Sequence, residues 1–188
     1  MSDEIVTRML DDEIQIEERS GGQAKITGYG CVFNNVYPIG DGAYERILPQ
    51  ALDNADMTQT ECRYNHSNDF ILGDVPTNTL QLRPDARGLY YSTDFDDGDP
   101  DFVKCRSKIR KGLVKGSSIG MKIDHSFPTM EDGKTIYNID RISYVRDLGP
   151  VNTPANSQAP VSCRAHEDAR KEYERIEATR KRRENKTM

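Results

Sequence analysis

Two residues offer the clearest chemistry in this sequence, a histidine and a serine. His66 is one of three histidines in the chain and stands where a candidate strand meets a polar loop. Ser118 is the centre of a Gly-Ser-Ser-Ile-Gly run at 116–120, in which small residues let the backbone turn sharply and expose a hydroxyl. A serine hydroxyl becomes a nucleophile when an imidazole accepts its proton. The pair suggests nucleophilic catalysis, although either residue taken alone is typical of a structural position.

The other two histidines offer alternatives to His66. His125 precedes a proline turn, where an exposed loop position is expected, and a hydrolase that pairs Ser118 with His125 is the weaker hypothesis. The order Ser118, Asp147, His166 is the chain order of α/β-hydrolases. In that fold the serine follows a strand and precedes a helix, whereas here a candidate helix precedes it and a strand follows. His166 also lies in a charged tail, and we reject this reading.

Composition narrows the class of protein and its partners. The chain has 188 residues, 26 Lys or Arg against 31 Asp or Glu, a net charge of −5 and a mean hydropathy of −0.77. An acidic balance argues against nucleic-acid binding, because phosphate contacts need a basic face. No apolar run approaches the roughly 20 residues of a membrane helix, and the N-terminus lacks the pattern of a secretory signal. We therefore expect a protein of the cytosolic side with no membrane partner.

No metal or organic cofactor is expected. No two of the four cysteines are close together in sequence, so we expect buried thiols rather than zinc ligands or disulfides: Cys31, Cys62, Cys105 and Cys163. The acidic run at 96–99 superficially suggests calcium, but it lacks the spacing and final Glu of an EF-hand loop. Asp99 is better explained as the cap of the helix that follows it.

The chain divides into three predicted segments. Residues 1–23 are polar and end in Ser-Gly-Gly, which is typical of an arm. Residues 24–163 hold the apolar patterns of a folded domain. Residues 164–188 are rich in Glu, Arg and Lys with few apolar groups, so this tail is either disordered or a docking helix.

Alternating apolar residues predict a mainly β domain with a few short helices. Asp99-Pro100 marks the clearest helix, because Asp is a good N-cap and Pro suits the first helical position. Many short strands favour a closed or partly closed barrel. The predicted strands are 24–33, 44–48, 61–65, 79–83, 88–95, 113–123, 136–148 and 159–163, and the predicted helices are 49–54 and 101–111.

Several motifs in order resemble one family, the prohead (capsid maturation) proteases of HK97-type tailed phages, which are distantly similar to herpesvirus assembly proteases. Ile-Thr-Gly-Tyr-Gly-Cys-Val-Phe-Asn at 26–34 resembles the family's opening strand. Asn65-His66-Ser67 resembles its Asn-His-Asp, and the serine run at 114–121 resembles its Val-Ser-Gly-Met-Ser-Phe-Gly-Phe. The segment 147–155 resembles its closing Pro-Ala segment. The similarity spans residues 24–163 and implies a herpesvirus-protease-like barrel.

The resemblance also implies roles for particular residues. His66 matches the general base and Ser118 the nucleophile of a serine endopeptidase. Asp147 lies where the family often carries the third member, with Asp140 as its rival, and the herpesvirus relatives use a second histidine there. An oxyanion hole is expected from backbone N–H groups. The Gly-Pro pair at 149–150 departs from the family's apolar strand.

The function implied by the family is proteolysis during phage assembly. The expected substrates are a scaffold or the N-terminal extension of the major capsid protein, and the protease itself. The expected location is the immature capsid, or prohead, in the host cytoplasm. Because the herpesvirus relatives are activated by dimerisation, the resemblance also allows for a homo-oligomer. The alternative hypothesis is a non-catalytic capsid-assembly or scaffolding protein built on the same fold.

Overall fold

Eleven strands and one α-helix make up the described part of the chain. The computed structural model describes residues 5–11, 14–18, 24–40, 42–94 and 98–152, together with four helical residues of the tail: Lys171, Glu174, Arg175 and Ala178. The strands are β1 (Val6–Asp11), β2 (Ile14–Glu18), β3 (Ala24–Val32), β4 (Val36–Gly40), β5 (Ala43–Ile47), β6 (Glu61–Arg63), β7 (Ile71–Asp74), β8 (Leu80–Pro84), β9 (Gly88–Thr93), β10 (Gly116–Glu131) and β11 (Lys134–Val151). Helix α1 (Pro100–Arg110) precedes β10, and 3₁₀ turns form at Pro49–Leu52 and Tyr64–His66.

These strands form two sheets. The larger has seven of the described strands, in the order β1-β10-β11-β5-β4, with β6 also paired to β11 and β7 paired to β6. The smaller has the order β2-β3-β9-β8. The predicted closed barrel is therefore wrong for the described strands, which leave both sheets with edges. Alternation along a strand reports which face is buried, but it does not report whether the end strands meet.

A long hairpin of β10 and β11 organises the larger sheet. Asp132 and Gly133 have φ angles of 49° and 74°, which suit the two central positions of a tight hairpin turn. The outer edge of β11 then pairs in parallel with β5 over Thr135–Ile139 and with β6 over Asp147–Leu148. The second pairing brings β6, and the 3₁₀ turn that follows it, to the carboxyl-terminal half of β11.

The core lies between the sheets and beneath helix α1. It includes Ile26 and Leu89 from the smaller sheet and Ile119 and Leu148 from the larger, all fully buried. In α1, Phe102 and Cys105 are buried and Ile109 packs against the same cluster, which confirms the apolar face predicted for this helix. The Asp99 carboxylate accepts the Asp101 N–H 2.9 Å away, as expected of an N-cap.

The N-terminal segment contributes a strand to each sheet. Strand β1 pairs antiparallel with β10, and β2 pairs antiparallel with β3. The predicted strand at 159–163 and most of the tail lie outside the described residues. Within the described part of the chain, no helix is long and apolar enough to cross a membrane.

Candidate active site

Ser118 lies inside strand β10 and not in a turn. The expectation of a sharp turn that exposes its hydroxyl is wrong, because the residue is fully buried (0% exposed) with a strand on each side. It stands opposite Met9 of β1 and opposite Gly149 of β11. Its neighbour Ser117 forms a 2.8 Å hydrogen bond with the buried Tyr91 hydroxyl of the smaller sheet. Since successive residues of a strand face opposite sides, Ser118 projects from the other face of the larger sheet.

His66 is held by an unusual backbone. Asn65 and His66 have φ angles of 52° and 56°, in the left-handed region that costs a non-glycine residue roughly 1–2 kcal/mol. Asn tolerates this conformation, and its side-chain Oδ1 accepts the Asn152 N–H at 2.9 Å. The buried Tyr64 anchors the start of the turn against Phe70, with ring centroids 4.8 Å apart. The strain is offset by these contacts, and its effect is to aim the imidazole toward β10.

Three side chains form a continuous hydrogen-bonded row. His66 Nδ1 lies 3.0 Å from Asp147 Oδ2, and His66 Nε2 lies 2.6 Å from Ser118 Oγ. A carboxylate at Nδ1 favours the tautomer with the proton on Nδ1. Nε2 is then the acceptor for the Ser118 O–H. The structure thus brings together the three residues that the sequence and the resemblance singled out.

Asp147 is kept ionised although it is fully buried. Burial raises the pKa of its carboxyl, but the hydrogen bond and charge of His66 and the charges of Arg146 and Arg63 outweigh burial, so the net shift is downward. Arg146 Nη2 lies 3.3 Å from both carboxylate oxygens, and Arg63 Nη1 lies 4.0 Å from Oδ2. Sequence reasoning missed Arg63 as a neighbour of the site, because it is 84 positions away and reaches Asp147 through the β6–β11 pairing.

Two glycines make room for this arrangement. Gly120 stands opposite Asp147, and a Cβ there would overlap Asp147 Oδ1. Gly149 stands opposite Ser118 with a φ of 147°, and a Cβ there would lie 2.5 Å from the Arg63 carbonyl oxygen. The sequence suggested that Gly120 closes a turn and that the Gly-Pro pair at 149–150 interrupts a strand. In the structure β10 and β11 both continue through these positions, so the glycines permit close approach within a sheet.

The rival residues lie elsewhere. Asp140 Oδ1 contacts His125 Nδ1 at 2.5 Å, and half of the His125 side chain is exposed. His125 follows Ser118 along β10, and seven strand residues span about 20 Å. The structure therefore does not join either residue to the Ser118 row. His166 lies outside the described residues.

Among the described ranges, no group of three or more His, Cys, Asp or Glu side chains is placed to hold a metal ion. Cys62 contacts the position of Gly149, but burial raises the pKa of its thiol well above the ordinary value, so it is a packing group. The oxyanion hole of backbone N–H groups stays a prediction.

A hydroxyl, an imidazole and a carboxylate in one hydrogen-bonded row are the arrangement found in serine hydrolases. The sequence profile of the caudovirus prohead serine proteases matches residues 12–173. The chain therefore belongs to the caudovirus prohead serine protease family, and the resemblance found in the sequence is confirmed.

The chain is similar to a solved structure of the bacteriophage T4 capsid assembly protease, gp21, with a TM-score of 0.46 and 16% sequence identity. The similarity covers 80% of this chain and 96% of that one. A search of curated protein sequences finds no match.

Proposed function

We propose that Ser118 is the nucleophile, His66 the general base and Asp147 the orienting acid of this phage prohead protease. The observation that supports this assignment is the row from Asp147 Oδ2 through both nitrogens of His66 to Ser118 Oγ, with separations of 3.0 Å and 2.6 Å. Both distances lie within hydrogen-bonding range, as general-base catalysis requires.

In the first half of the reaction, Ser118 Oγ attacks the scissile carbonyl carbon while His66 Nε2 accepts its proton. The carbonyl π electrons move to oxygen, and the resulting oxyanion is stabilised by nearby N–H groups. Collapse of this intermediate breaks the C–N bond, and the Nε2 proton goes to the leaving amine. An ester between Ser118 and the substrate's acyl part remains.

In the second half, water replaces the amine. His66 Nε2 accepts a proton from water as the water oxygen attacks the ester carbon. Collapse of the second intermediate returns the proton to Ser118 Oγ and releases a carboxylic acid. The charged Asp147 stabilises the imidazolium of His66 in both halves, and Arg146 and Arg63 keep that carboxylate from taking up a proton itself.

We further propose that the substrates are a scaffold or the N-terminal extension of the major capsid protein, and the chain itself. Family membership supports a role inside the prohead within the host cytoplasm. Segments rich in small and polar residues are preferred sites of proteolytic cleavage, and residues 19–23 and 164–188 have such compositions. On this proposal residues 24–163 carry the catalytic domain, and the charged tail docks to an assembly partner.

The test is intact-mass spectrometry of the purified chain over time, alone and after co-expression with the phage's capsid protein. Wild type is expected to yield truncated products, and Ser118→Ala is expected to yield none while melting at the same temperature. Ser107→Ala, on helix α1, serves as the matched serine control and should process normally. New termini in the wild-type sample identify the cleavage preference.

Three outcomes would contradict the proposal. Continued processing by Ser118→Ala would exclude that residue as the nucleophile. Loss of processing in His125→Ala with retention in His66→Ala would move the base to the other histidine. Full-length wild-type protein in the presence of assembled capsid would favour a scaffolding role instead.

A further inference from the structure

The histidine of the proposed active site is carried by a loop, whereas the serine and the aspartate are carried by strands. This histidine loop, residues 64–70, joins β6 to β7. The left-handed φ angles of Asn65 and His66 are conformations that non-glycine residues rarely adopt. His66 Nε2 must nevertheless stay within hydrogen-bonding distance of Ser118 Oγ, as the observed 2.6 Å allows. Contacts from outside the loop must therefore hold it in this shape.

Arg63, the last residue of β6, contacts the part of the histidine loop that follows His66. Its Nη1 donates a hydrogen bond to the side-chain oxygen of Asn68. Its Nε donates to Glu61 Oε2 at 2.5 Å, and its Nη2 contacts the same oxygen. Hydrogen bonds with a charged donor are roughly twice as strong as those between neutral groups. The guanidinium therefore ties the loop to the strand that precedes it.

The same guanidinium faces the catalytic row. Arg63 Nη1 lies 4.0 Å from Asp147 Oδ2, the oxygen that binds His66 Nδ1. The backbone of Arg63 lies against Gly149, which stands opposite Ser118. Only 13% of the Arg63 side chain is exposed, which limits the positions open to it. One arginine thus contacts both the loop that carries the imidazole and the strand that carries the carboxylate.

Arg146 makes a different set of contacts. Its Nη2 lies 3.3 Å from both carboxylate oxygens of Asp147, but within the described part of the chain it forms no hydrogen bond with the histidine loop. The positive charge beside Asp147 therefore comes from two arginines, whereas the bond to Asn68 comes from Arg63. Loss of that bond can be separated experimentally from loss of charge.

We propose that Arg63 is a positioning residue, which holds the histidine loop so that His66 Nε2 stays aligned with Ser118 Oγ. This inference rests on the proposed function, because it concerns the same His66 and Ser118. Without the bond to Asn68, the loop relaxes toward ordinary backbone angles and the imidazole moves away from the hydroxyl. A displacement of about 1 Å in a catalytic group can lower a rate by about 100-fold.

Substitutions at both ends of the Arg63–Asn68 bond test the proposal in the full-length chain. The readouts at pH 8 are the rate of Ser118 labelling at saturating fluorophosphonate, the concentration that gives half of this rate, and the melting temperature. Arg63→Lys keeps the positive charge, but a single ammonium group cannot reproduce the planar fork. We expect both Arg63→Lys and Asn68→Ala to lower the maximal rate at least about ten-fold and to change the half-saturating concentration by less than about two-fold.

A conservative variant and a neighbouring one provide the controls. Asn68→Asp keeps an oxygen acceptor for Arg63, so it should recover the rate lost in Asn68→Ala to within about two-fold of wild type. Asp69→Ala removes the adjacent exposed side chain, which forms no hydrogen bond or ion pair with the described residues, and it should label normally. Arg63→Lys combined with Asn68→Ala should be no slower than the slower single variant, since both remove the same bond.

The outcomes separate this inference from the proposed function. If Asn68→Ala or Arg63→Lys is labelled as fast as wild type, or if the two losses multiply in the double variant, Arg63 does not act through the loop and the protease assignment stands. A loss in Asp69→Ala as large as that in Asn68→Ala, or a change in the half-saturating concentration alone, would also overturn the positioning role. If wild type is not labelled at Ser118, the nucleophile assignment fails and this inference fails with it.

Discussion

Replacement of Gly120 by alanine should reduce catalysis although all three proposed catalytic residues are kept. The new methyl would overlap Asp147 Oδ1 and lie 3.2 Å from Asp147 Cγ. The carboxylate is buried beside Arg146, so we expect it to relieve the overlap by turning away from His66. The hydrogen bond that orients the imidazole would then lengthen.

The expected loss follows from the size of this displacement. The carboxylate must move by roughly 1 Å to restore van der Waals contact, and a shift of that size in a catalytic group can cost about 100-fold. That loss corresponds to about 2.7 kcal/mol of transition-state stabilisation. Overpacking of the sheet should also lower the free energy of unfolding by about 1–3 kcal/mol.

The assay is the second-order rate of fluorophosphonate labelling of Ser118, with thermal unfolding measured on each variant. Gly133→Ala is the stability control: its φ of 74° makes alanine unfavourable, yet no atom lies within 4 Å of the new methyl. It should lose stability by about 1–2 kcal/mol and keep its labelling rate.

A double-mutant cycle gives the decisive result. In an Asp147→Ala background the overlapping carboxylate is gone, so Gly120→Ala should cause little further loss of rate. If instead the two fold-reductions in labelling rate multiply in the double variant, Gly120 does not act through Asp147 and the reasoning is refuted.

Three further predictions concern stability and reactivity. Because the pKa of Asp147 is lowered from 3.8 in the folded state, its stabilising contribution is present above that pH and is lost as the pH falls through the lowered value. The free energy of unfolding, measured by urea titration between pH 2 and 6, should fall less steeply toward acid pH in Asp147→Asn than in the wild type. An identical slope in the two proteins would contradict the assignment. Tyr91→Phe leaves the buried Ser117 hydroxyl without its partner and should lower the free energy of unfolding by about 1–3 kcal/mol in urea titration, with no change if that hydrogen bond is unimportant. Burial raises the pKa of Cys31 and of Cys105 to about 12, so both thiols should react with Ellman's reagent at pH 8 only on unfolding. Rapid reaction of either residue in the native Cys163→Ala variant would contradict its burial.

Local signals predicted the local structure well. Asp99-Pro100 predicted the start of helix α1, because capping depends on residues adjacent in sequence. The strands predicted at 24–33 and 88–95 correspond to β3 and β9. Strands β1 and β2 were not predicted, because residues 6–18 are too polar to show clear alternation and their pairing partners are distant in sequence.

The same contrast between local signals and distant pairings applies to the candidate site. His66 and Ser118 could be proposed from motifs that surround each residue in sequence. The roles of Gly120 and Gly149 could not, because each depends on what lies opposite in a neighbouring strand. Closure of a barrel is likewise a property of the whole sheet, and the sequence carries no local signal for it.

The parallel pairing of β6 with β11 has a consequence for when the site comes into existence. His66 is separated by 52 residues from Ser118 and by 81 from Asp147. Contacts between such distant positions form late in folding, since a large loop must close before they are made. Before Asp147 has left the ribosome, the nascent chain lacks both this carboxylate and the part of β11 with which β6 pairs. Synthesis and folding of nearly the whole domain therefore precede the first molecule that can cut a peptide bond.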